Sequence, residues 1–200
     1  MHLYINSGSP FARKARIVVR ERGWTSQVKE VVVVPIESPA NLVGVNPVAQ
    51  VPALRDDQGI NWQDTALICA WLDATAKTGT RLLPPENDTS HWAIRRLEAA
   101  ANGLIEMNVR MVLENRRPEN ERSPFWLKRW EDNLLRGFAA VEALCPSPDV
   151  LDMGSLTLAL AATYTDFRFP HIDWRAVAPK VAALQSELEK RQSFIDTYPK

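Results

Sequence analysis

The chain passes from strand to helix directly after the extended run of residues 2–6, within Ser7-Gly8-Ser9-Pro10-Phe11-Ala12-Arg13. Ser9 has the residue type and position of a helix N-cap, and Pro10 suits the first helical position, where no N–H is needed. First-turn N–H groups and the positive end of the helix dipole would favour an anion, such as a thiolate, near the Ser9 hydroxyl. Taken alone, the motif favours a cap with no further role.

A βαβ unit is predicted for the first 34 residues. Residues 10–23 keep one apolar face at helical spacing, and Gly23 stands where a helix stop is expected. Residues 28–34 form a β-branched run closed by Pro35. We expect this second strand to lie parallel to the first and to be buried on both faces, because the helix is long enough for a right-handed crossover.

A β-hairpin is predicted for residues 50–62, with its turn at Asp57-Gln58-Gly59. Pro52 cannot donate to a strand ladder. It therefore fits an edge strand, the first position of a strand, or a special turn with a cis bond, which would expose the Val51 backbone to a ligand. Local sequence alone favours the edge-strand interpretation.

A further helix start follows the hairpin, since Asp64 and Thr65 precede the apolar run of residues 66–72. It is a second helix N-terminus that could hold an anion. Residues 36–47 have short helical potential interrupted by Pro and Gly. Residues 77–90 combine Gly, adjacent prolines and polar residues, which indicates a linker and a domain boundary.

The remainder of the chain is predicted to be helical. Apolar spacing places helices at residues 92–117, 124–144, 156–167 and 179–193. The first two should pack as an antiparallel pair, and the third is so apolar that it should lie at the centre of a bundle.

Composition and charge exclude several classes of function. The 200 residues carry 24 Lys+Arg and 24 Asp+Glu, so nothing supports a general polyanion-binding role such as nucleic-acid binding. Cys69 and Cys145 lie far apart, and the three histidines are dispersed, so neither a dithiol site nor a metal site is predicted. Without a signal peptide or a membrane-length apolar run, we expect a cytoplasmic protein with no membrane partner.

The chain resembles the glutathione S-transferases, and in particular a bacterial Ser-type member, because several motifs occur in the right order. They are Ser9-Pro10-Phe11-Ala12-Arg13, Asn46-Pro47 leading to Gln50-Val51-Pro52-Ala53-Leu54, Asp64-Thr65, the Pro-rich linker, the helical half and residues 163–170. The resemblance implies an α/β thioredoxin-like glutathione-binding domain at residues 1–78, a linker at 79–89 and an all-α helical bundle at 90–200.

The resemblance also implies a glutathione site. Ser9 would hydrogen-bond the glutathione sulfur with Phe11 beside it, and the Val51 backbone next to a cis-Pro52 would pair with the tripeptide backbone. Asp64 and Thr65 would hold the γ-glutamyl end, and Gln50 matches a common side-chain contact. Ser7 is a rival to Ser9, which we prefer because it immediately precedes the helix start. A free thiol has a pKa of about 8.5, and a hydroxyl donor with a helix N-terminus favours its thiolate.

The helical domain is expected to contribute the second-substrate site, against the long helix that starts near Trp92. Met107, Arg110 and Met111 are candidates to line it, although a Met stripe at helical spacing also fits simple core. Asn108 fits either a polar contact or a satisfied buried amide.

The family normally begins its central helix with a Ser or Thr cap followed three residues later by Asp. Asp152 and Ser155 hold these two places with the residue types exchanged, so we expect an altered capping box.

The function implied is a detoxifying transferase that adds glutathione to a small electrophile, working as a homodimer without a metal. A glutathione-dependent reductase, dehalogenase or isomerase on the same scaffold is the enzymatic alternative. The absence of Cys at position 9 argues against mixed-disulfide chemistry. A non-catalytic binding module with this fold is the third interpretation.

Overall fold

A computed structural model describes residues 1–200, which divide into two compact units. The first contains Met1–Leu83 together with Gln192–Lys200, and the second contains Pro84–Arg191. The sequence assigned residues 90–200 to the helical domain, whereas the C-terminal segment packs with the first unit. The Arg13 guanidinium holds it there, because it donates to the Phe194 carbonyl at 3.0 Å and stacks over the Phe194 ring at 5.6 Å.

The first unit is built on a four-stranded sheet. Its strands are β1 (His2–Ile5), β2 (Lys29–Val32), β3 (Ala53–Arg55) and β4 (Asn61–Trp62), in the spatial order β2-β1-β3-β4. β1 and β2 are parallel, whereas β3 is antiparallel to both β1 and β4. The predicted βαβ unit and the predicted hairpin are therefore both confirmed.

The expectation that β2 is buried on both faces is wrong. Val32 is 67% exposed and Lys29 is also exposed, because β2 is one of the two edge strands of the sheet. Val31 packs against the core cluster that contains Tyr4, and Val33, directly after β2, is a member of that cluster. Position in the sheet depends on strand order, which a β-branched run does not encode.

Three helices complete the N-terminal part of the first unit: α1 (Pro10–Glu21), α2 (Ala40–Val43) and α3 (Thr65–Thr75). α1 begins and ends close to its predicted limits. Gly23 adopts φ 69°, and its N–H donates to the Arg20 carbonyl at 3.2 Å, so the predicted stop signal closes the helix. α1 packs against both β1 and α3, with Ile17 and Ile68 fully buried.

The second unit consists of α4 (His91–Asn115), α5 (Pro124–Glu142), α6 (Met153–Arg168) and α7 (Pro179–Leu188). Every residue of α6 from Met153 to Thr165 is buried, which confirms its predicted central position. α4 packs against both α5 and α6. None of the helices is both long enough and apolar enough to cross a membrane.

The single final helix predicted for residues 179–193 is wrong. α7 ends at Leu188, and a separate short helix, α8 (Gln192–Ile195), belongs to the first unit. Between them the Lys190 N–H donates to Glu187 at 3.2 Å and the Arg191 N–H donates to Leu188 at 3.0 Å. These bonds to residues three positions back form a tight turn in place of a continuing α-helix.

The start of α6 retains a reciprocal capping box. Asp152 Oδ1 accepts from the Ser155 N–H at 2.8 Å, and the Asp152 N–H donates to Ser155 Oγ at 2.8 Å. Exchanging the two residue types therefore preserves both hydrogen bonds. Gly154 permits a close approach to α4, since a Cβ there would lie 2.9 Å from the Ile94 carbonyl oxygen.

A buried aspartate fixes the end of the first unit to its core. Asp73 on α3 is 1% exposed, and it accepts from the Leu82 N–H at 2.8 Å and from the Leu83 N–H at 3.0 Å. Its carboxylate also lies 2.9 Å from Nε of Arg22, which is itself buried. One carboxylate thus joins the segment that leaves the unit to both α3 and the end of α1.

Replacing Asp73 by Ala should lower the free energy of unfolding by about 3–5 kcal/mol, because a buried guanidinium loses its counter-ion and two backbone N–H groups lose their acceptor. Urea unfolding followed by circular dichroism measures the loss. Asp132→Ala is the control, since Asp132 pairs with an exposed lysine, Lys128, and should leave the urea midpoint nearly unchanged. Equal midpoint shifts in the two variants would contradict the role given to Asp73.

Candidate functional site

Three loop segments meet at one edge of the sheet, beyond the carboxyl end of β1. Tyr4 near the end of β1 pairs with Ala53, the first residue of β3, so the residues before β3 lie beside the loop after β1. Leu54 pairs with Trp62, so the chain leaving β4 returns to the same edge and there begins α3. The topology therefore brings the predicted glutathione residues of all three segments to one edge of the first unit.

Ser9 is the N-cap of α1, as the sequence predicts. Its Oγ accepts from the Ala12 N–H at 3.2 Å, and its carbonyl accepts from the Arg13 N–H at 3.0 Å. The remaining donors of this turn, the Ser9 hydroxyl and the Phe11 N–H, have no acceptor within the protein. Two donors and the positive end of a helix of 12 residues therefore meet at one point.

The loop before Ser9 is held by Asn6. Its Oδ1 accepts from the Gly8 N–H at 3.1 Å, and its Nδ2 donates to the Val33 carbonyl at 3.2 Å. The Ser7 side chain makes no hydrogen bond and does not cap the helix. Of the two rival serines, Ser9 alone occupies the helix terminus.

The Val51–Pro52 peptide bond is cis, as the family resemblance implies, and the plain edge-strand interpretation of Pro52 is wrong. Pro52 is buried directly before β3. The adjoining backbone N–H and C=O groups of Val51 take no part in any hydrogen bond within the protein. Val51 thus presents a donor and an acceptor side by side, which is the pattern that an extended peptide backbone pairs with.

Asn46 shapes the turn that leads to Val51, a role that the sequence did not reveal. It is 3% exposed, its Nδ2 donates to the Gln50 carbonyl at 2.9 Å, and its Oδ1 accepts from the Val48 N–H at 3.2 Å. The following Ala49 adopts φ 52°. The turn-forming pair Asn46-Pro47 was the available signal. Gln50 itself has an exposed side chain with no partner.

The start of α3 repeats the pattern of α1. Asp64 Oδ1 accepts from the N–H groups of Ala66 at 2.8 Å and Leu67 at 3.0 Å. Asp64 adopts φ 70° and ψ 131°, a strained conformation for a residue with a side chain. The N–H and hydroxyl of Thr65, which is 9% exposed, have no partner within the protein.

The predicted second-substrate residues differ in their surroundings along α4. Met111 is 2% exposed and belongs to the core of the helical unit. This agrees with the alternative interpretation, in which methionines at helical spacing are simple core residues. Met107 is half-buried, and Arg110 is exposed and lies 3.8 Å from Glu106. Asn108 is fully buried, with Nδ2 donating at 3.0 Å to both the Leu104 carbonyl and Thr165 Oγ1, while its Oδ1 has no partner.

Neither cysteine is arranged for thiol chemistry. Both are outside any disulfide, and Cys69 is buried. Burial raises the pKa of the Cys145 thiol to about 11, and the charge of Glu142 adds to the effect. No group of three or more His, Cys, Asp or Glu residues is placed to hold a metal ion.

Comparisons with known proteins identify the family of this chain. The family described as "Glutathione S-transferase, N-terminal domain" matches residues 8–75. A glutathione S-transferase from Methylobacterium radiotolerans, in complex with glutathione sulfonate, is 31% identical, with 99% of this chain and 94% of that chain covered and a TM-score of 0.87. The chain belongs to the glutathione S-transferase superfamily. The expected fold, a thioredoxin-like α/β domain with an all-α helical bundle, is thereby confirmed.

Other members of the superfamily match over nearly the whole chain. A glutathione transferase family member from Pseudomonas fluorescens Pf-5 with bound glutathione is 29% identical, covers 100% of this chain and 98% of its own, and has a TM-score of 0.92. A structure of that family member with bound S-(propanoic acid)-glutathione has a TM-score of 0.87. The uncharacterized GST-like protein YibF of Escherichia coli K12 is 26% identical over 96% of this chain and 95% of its own.

Replacing Asn46 by Ala should loosen the turn before Val51. The Val48 N–H loses its acceptor, so its hydrogen exchange should accelerate by about tenfold or more. Exchange measured by mass spectrometry on a peptide covering residues 46–51 tests this. Asn61→Ala is a matched control, because exposed Asn61 donates to Gly44 outside this turn. Unchanged exchange in Asn46→Ala would contradict the positioning role.

Proposed function

We propose that this protein is a glutathione transferase in which Ser9 stabilises the glutathione thiolate for attack on a small electrophile. The observation that carries the proposal is the set of unpaired donors at Phe11, Val51 and Thr65, on three segments that the sheet brings to one edge. Backbone groups at such places normally find a partner within the protein. Here glutathione supplies the partners.

Ser9 and Phe11 receive the sulfur. A thiol with a pKa of about 8.5 is mostly protonated at neutral pH, and each unit of depression requires about 1.4 kcal/mol of preferential binding to the thiolate. The Ser9 hydroxyl and the Phe11 N–H donate to a charged acceptor, and the α1 dipole adds to their effect. Ser9 therefore lowers the thiol pKa and is not itself the nucleophile. Glutathione sulfonate, bound by the Methylobacterium relative, also carries negative charge at the sulfur.

Val51 pairs with the tripeptide backbone. Its N–H and C=O are both unpartnered, so a bound peptide can add a short antiparallel ladder before β3. Gln50 precedes it with an exposed side-chain amide that can reach a terminal carboxylate.

Asp64 and Thr65 hold the γ-glutamyl end, which carries an ammonium and a carboxylate. The Thr65 N–H and hydroxyl donate to the carboxylate at the positive end of α3. Asp64 Oδ1 caps the helix, which leaves its Oδ2 to accept from the ammonium. The strained backbone of Asp64 fits a position fixed by function as well as by capping.

The second substrate is a small electrophile that binds against α4, where Met107 and Arg110 offer side-chain surface. Met111 contributes by supporting this face from the core. The chemistry requires no metal, because the thiolate supplies the nucleophile. From the family resemblance, we propose that the protein works in the cytoplasm as a homodimer with a role in detoxification.

Ser9→Ala should leave the fold and the glutathione affinity nearly intact while turnover falls by about tenfold or more. The pH at which bound glutathione ionises should rise by about one unit, since a donor to the thiolate is lost. Thiolate absorbance at 240 nm measured against pH reports the ionisation, and conjugation of an aryl halide reports turnover.

Ser7→Ala is the matched control, because it removes a neighbouring hydroxyl that does not cap the helix. A pH profile unchanged in Ser9→Ala, or shifted only in Ser7→Ala, would contradict the assignment. Calorimetry that detects no glutathione binding to the wild-type protein would instead favour a non-catalytic module.

A further inference from the structure

A cavity of about 320 Å³ lies in the first unit, beyond the amino end of β1. Met1 and residues 56–60, the turn that joins β3 to β4, contribute to its lining. His2 pairs with Arg55, the last residue of β3, so this turn lies beside the start of β1. The candidate glutathione residues lie beyond the opposite end of β1, and the cavity is therefore separate from them. Small-molecule sites usually have volumes of about 300–1,000 Å³.

Three tryptophans, Trp24, Trp62 and Trp71, form the aromatic part of the lining. The rings of Trp62 and Trp71 stack with their centroids 4.7 Å apart, so each ring keeps one face free of the other. The Trp24 indole N–H donates to the Leu72 carbonyl at 3.0 Å, and the Trp62 indole N–H donates to Asp56 Oδ2 at 2.9 Å. Two of the three indoles are thus held in fixed orientations. Indole faces attract cations more strongly than the other aromatic side chains do.

Two carboxylates, Asp56 and Asp57, give the same cavity a negative charge. The hydrogen bond from Trp62 lowers the pKa of Asp56, an effect larger than that of desolvation, and backbone N–H groups of the turn lower it further. Asp56 is therefore ionised near neutral pH. Asp57 lies 2.6 Å from the Met1 ammonium, which offsets one of the two negative charges. No lysine or arginine lines the cavity, so a net negative charge remains beside the indoles.

The hydrogen bonds of Asp56 favour a methylated ammonium over one that carries N–H groups. Asp56 Oδ1 accepts from the N–H groups of Gln58 at 2.9 Å and Ile60 at 2.8 Å, and its Oδ2 accepts from Trp62. Both carboxylate oxygens are therefore engaged. A primary ammonium needs acceptors for its three N–H groups. A methylated ammonium needs only negative charge and aromatic faces.

We propose that this cavity binds a small organic cation that carries a trimethylammonium group. The methyl groups pack against the indole faces, and the rings and the carboxylates together stabilise the positive charge. No donor of the ligand is left without an acceptor, because the group has none. None of the candidate glutathione residues lines the cavity, so this binding is independent of the proposed transferase function.

Direct binding of choline to the wild-type full-length chain tests the proposal. Calorimetry at constant ionic strength compares choline with its neutral carbon analogue dimethylbutanol, in which a quaternary carbon replaces the nitrogen. We expect saturable binding of choline, about tenfold tighter than that of the analogue, because the two have the same shape and differ in charge. Equal affinities would mean that the cavity takes up only apolar groups and would overturn the proposal. Absence of saturable choline binding would also overturn it, with no consequence for the glutathione site.

Ethanolamine tests the preference for methyl groups. It replaces the three methyl groups of choline by N–H donors, for which the cavity offers few free acceptors. We expect it to bind about tenfold less tightly than choline, measured in the same buffer. An ethanolamine affinity equal to or greater than that of choline would contradict the assignment of a methylated ammonium.

Two variants locate the bound cation. Trp71→Leu keeps an apolar side chain without the ring, and it should remove the preference for choline over dimethylbutanol. Trp126→Leu, which changes an exposed tryptophan of α5, is the matched control and should keep the preference.

Asp57→Asn tests the charge without altering a ring, and Asp57 is exposed enough for the fold to tolerate the change. It should weaken choline by about threefold or more and leave dimethylbutanol unaffected. Asp173→Asn, at an exposed aspartate of the second unit, should change neither affinity. A preference for choline that persists in both Trp71→Leu and Asp57→Asn would place the cation elsewhere and overturn the proposal.

Discussion

The candidate site depends on one constraint: backbone hydrogen-bonding groups left unpaired where strands and helices begin. In the first unit the sheet ladders and helices take up most backbone groups. The exceptions that matter are the N–H groups of Phe11 and Thr65 and both groups of Val51. A helix start cannot satisfy its first donors internally, and Pro52, directly before β3, has no N–H to donate to a ladder. The site therefore exists because α1, α3 and β3 all begin at the same edge of the sheet.

The side chains behind the site hold these turns in place. Asn6 and Asn46 each use both ends of an amide to fix a loop, and Asp64 fixes the first turn of α3. Asp73 works farther away, where it joins the segment that leaves the unit to the core. Asn6, Asn46 and Asp73 contribute rigidity and not chemistry. Preorganised donors bind a thiolate more strongly than mobile ones, because the ligand does not have to order them.

Sequence patterns predicted the features that a few neighbouring residues determine. Ser9-Pro10 and Asp64-Thr65 marked helix starts correctly, because a cap is decided by a few neighbouring residues. Sequence patterns failed for features that depend on contacts between residues far apart in the sequence. The exposure of β2 depends on strand order, and the assignment of residues 192–200 depends on Arg13, which lies far away in sequence. Similarly, the cis state of Pro52 followed from the order of motifs along the chain and not from its neighbours.

The account is tested most directly by amide NMR of the wild-type protein during titration with glutathione. The central claim is that glutathione supplies partners for the unpaired groups of Phe11, Val51 and Thr65. At saturation these three amides should shift strongly, and their hydrogen exchange should slow, because each gains an acceptor. Saturable binding that leaves these three amides unchanged and perturbs a different surface would contradict the claim.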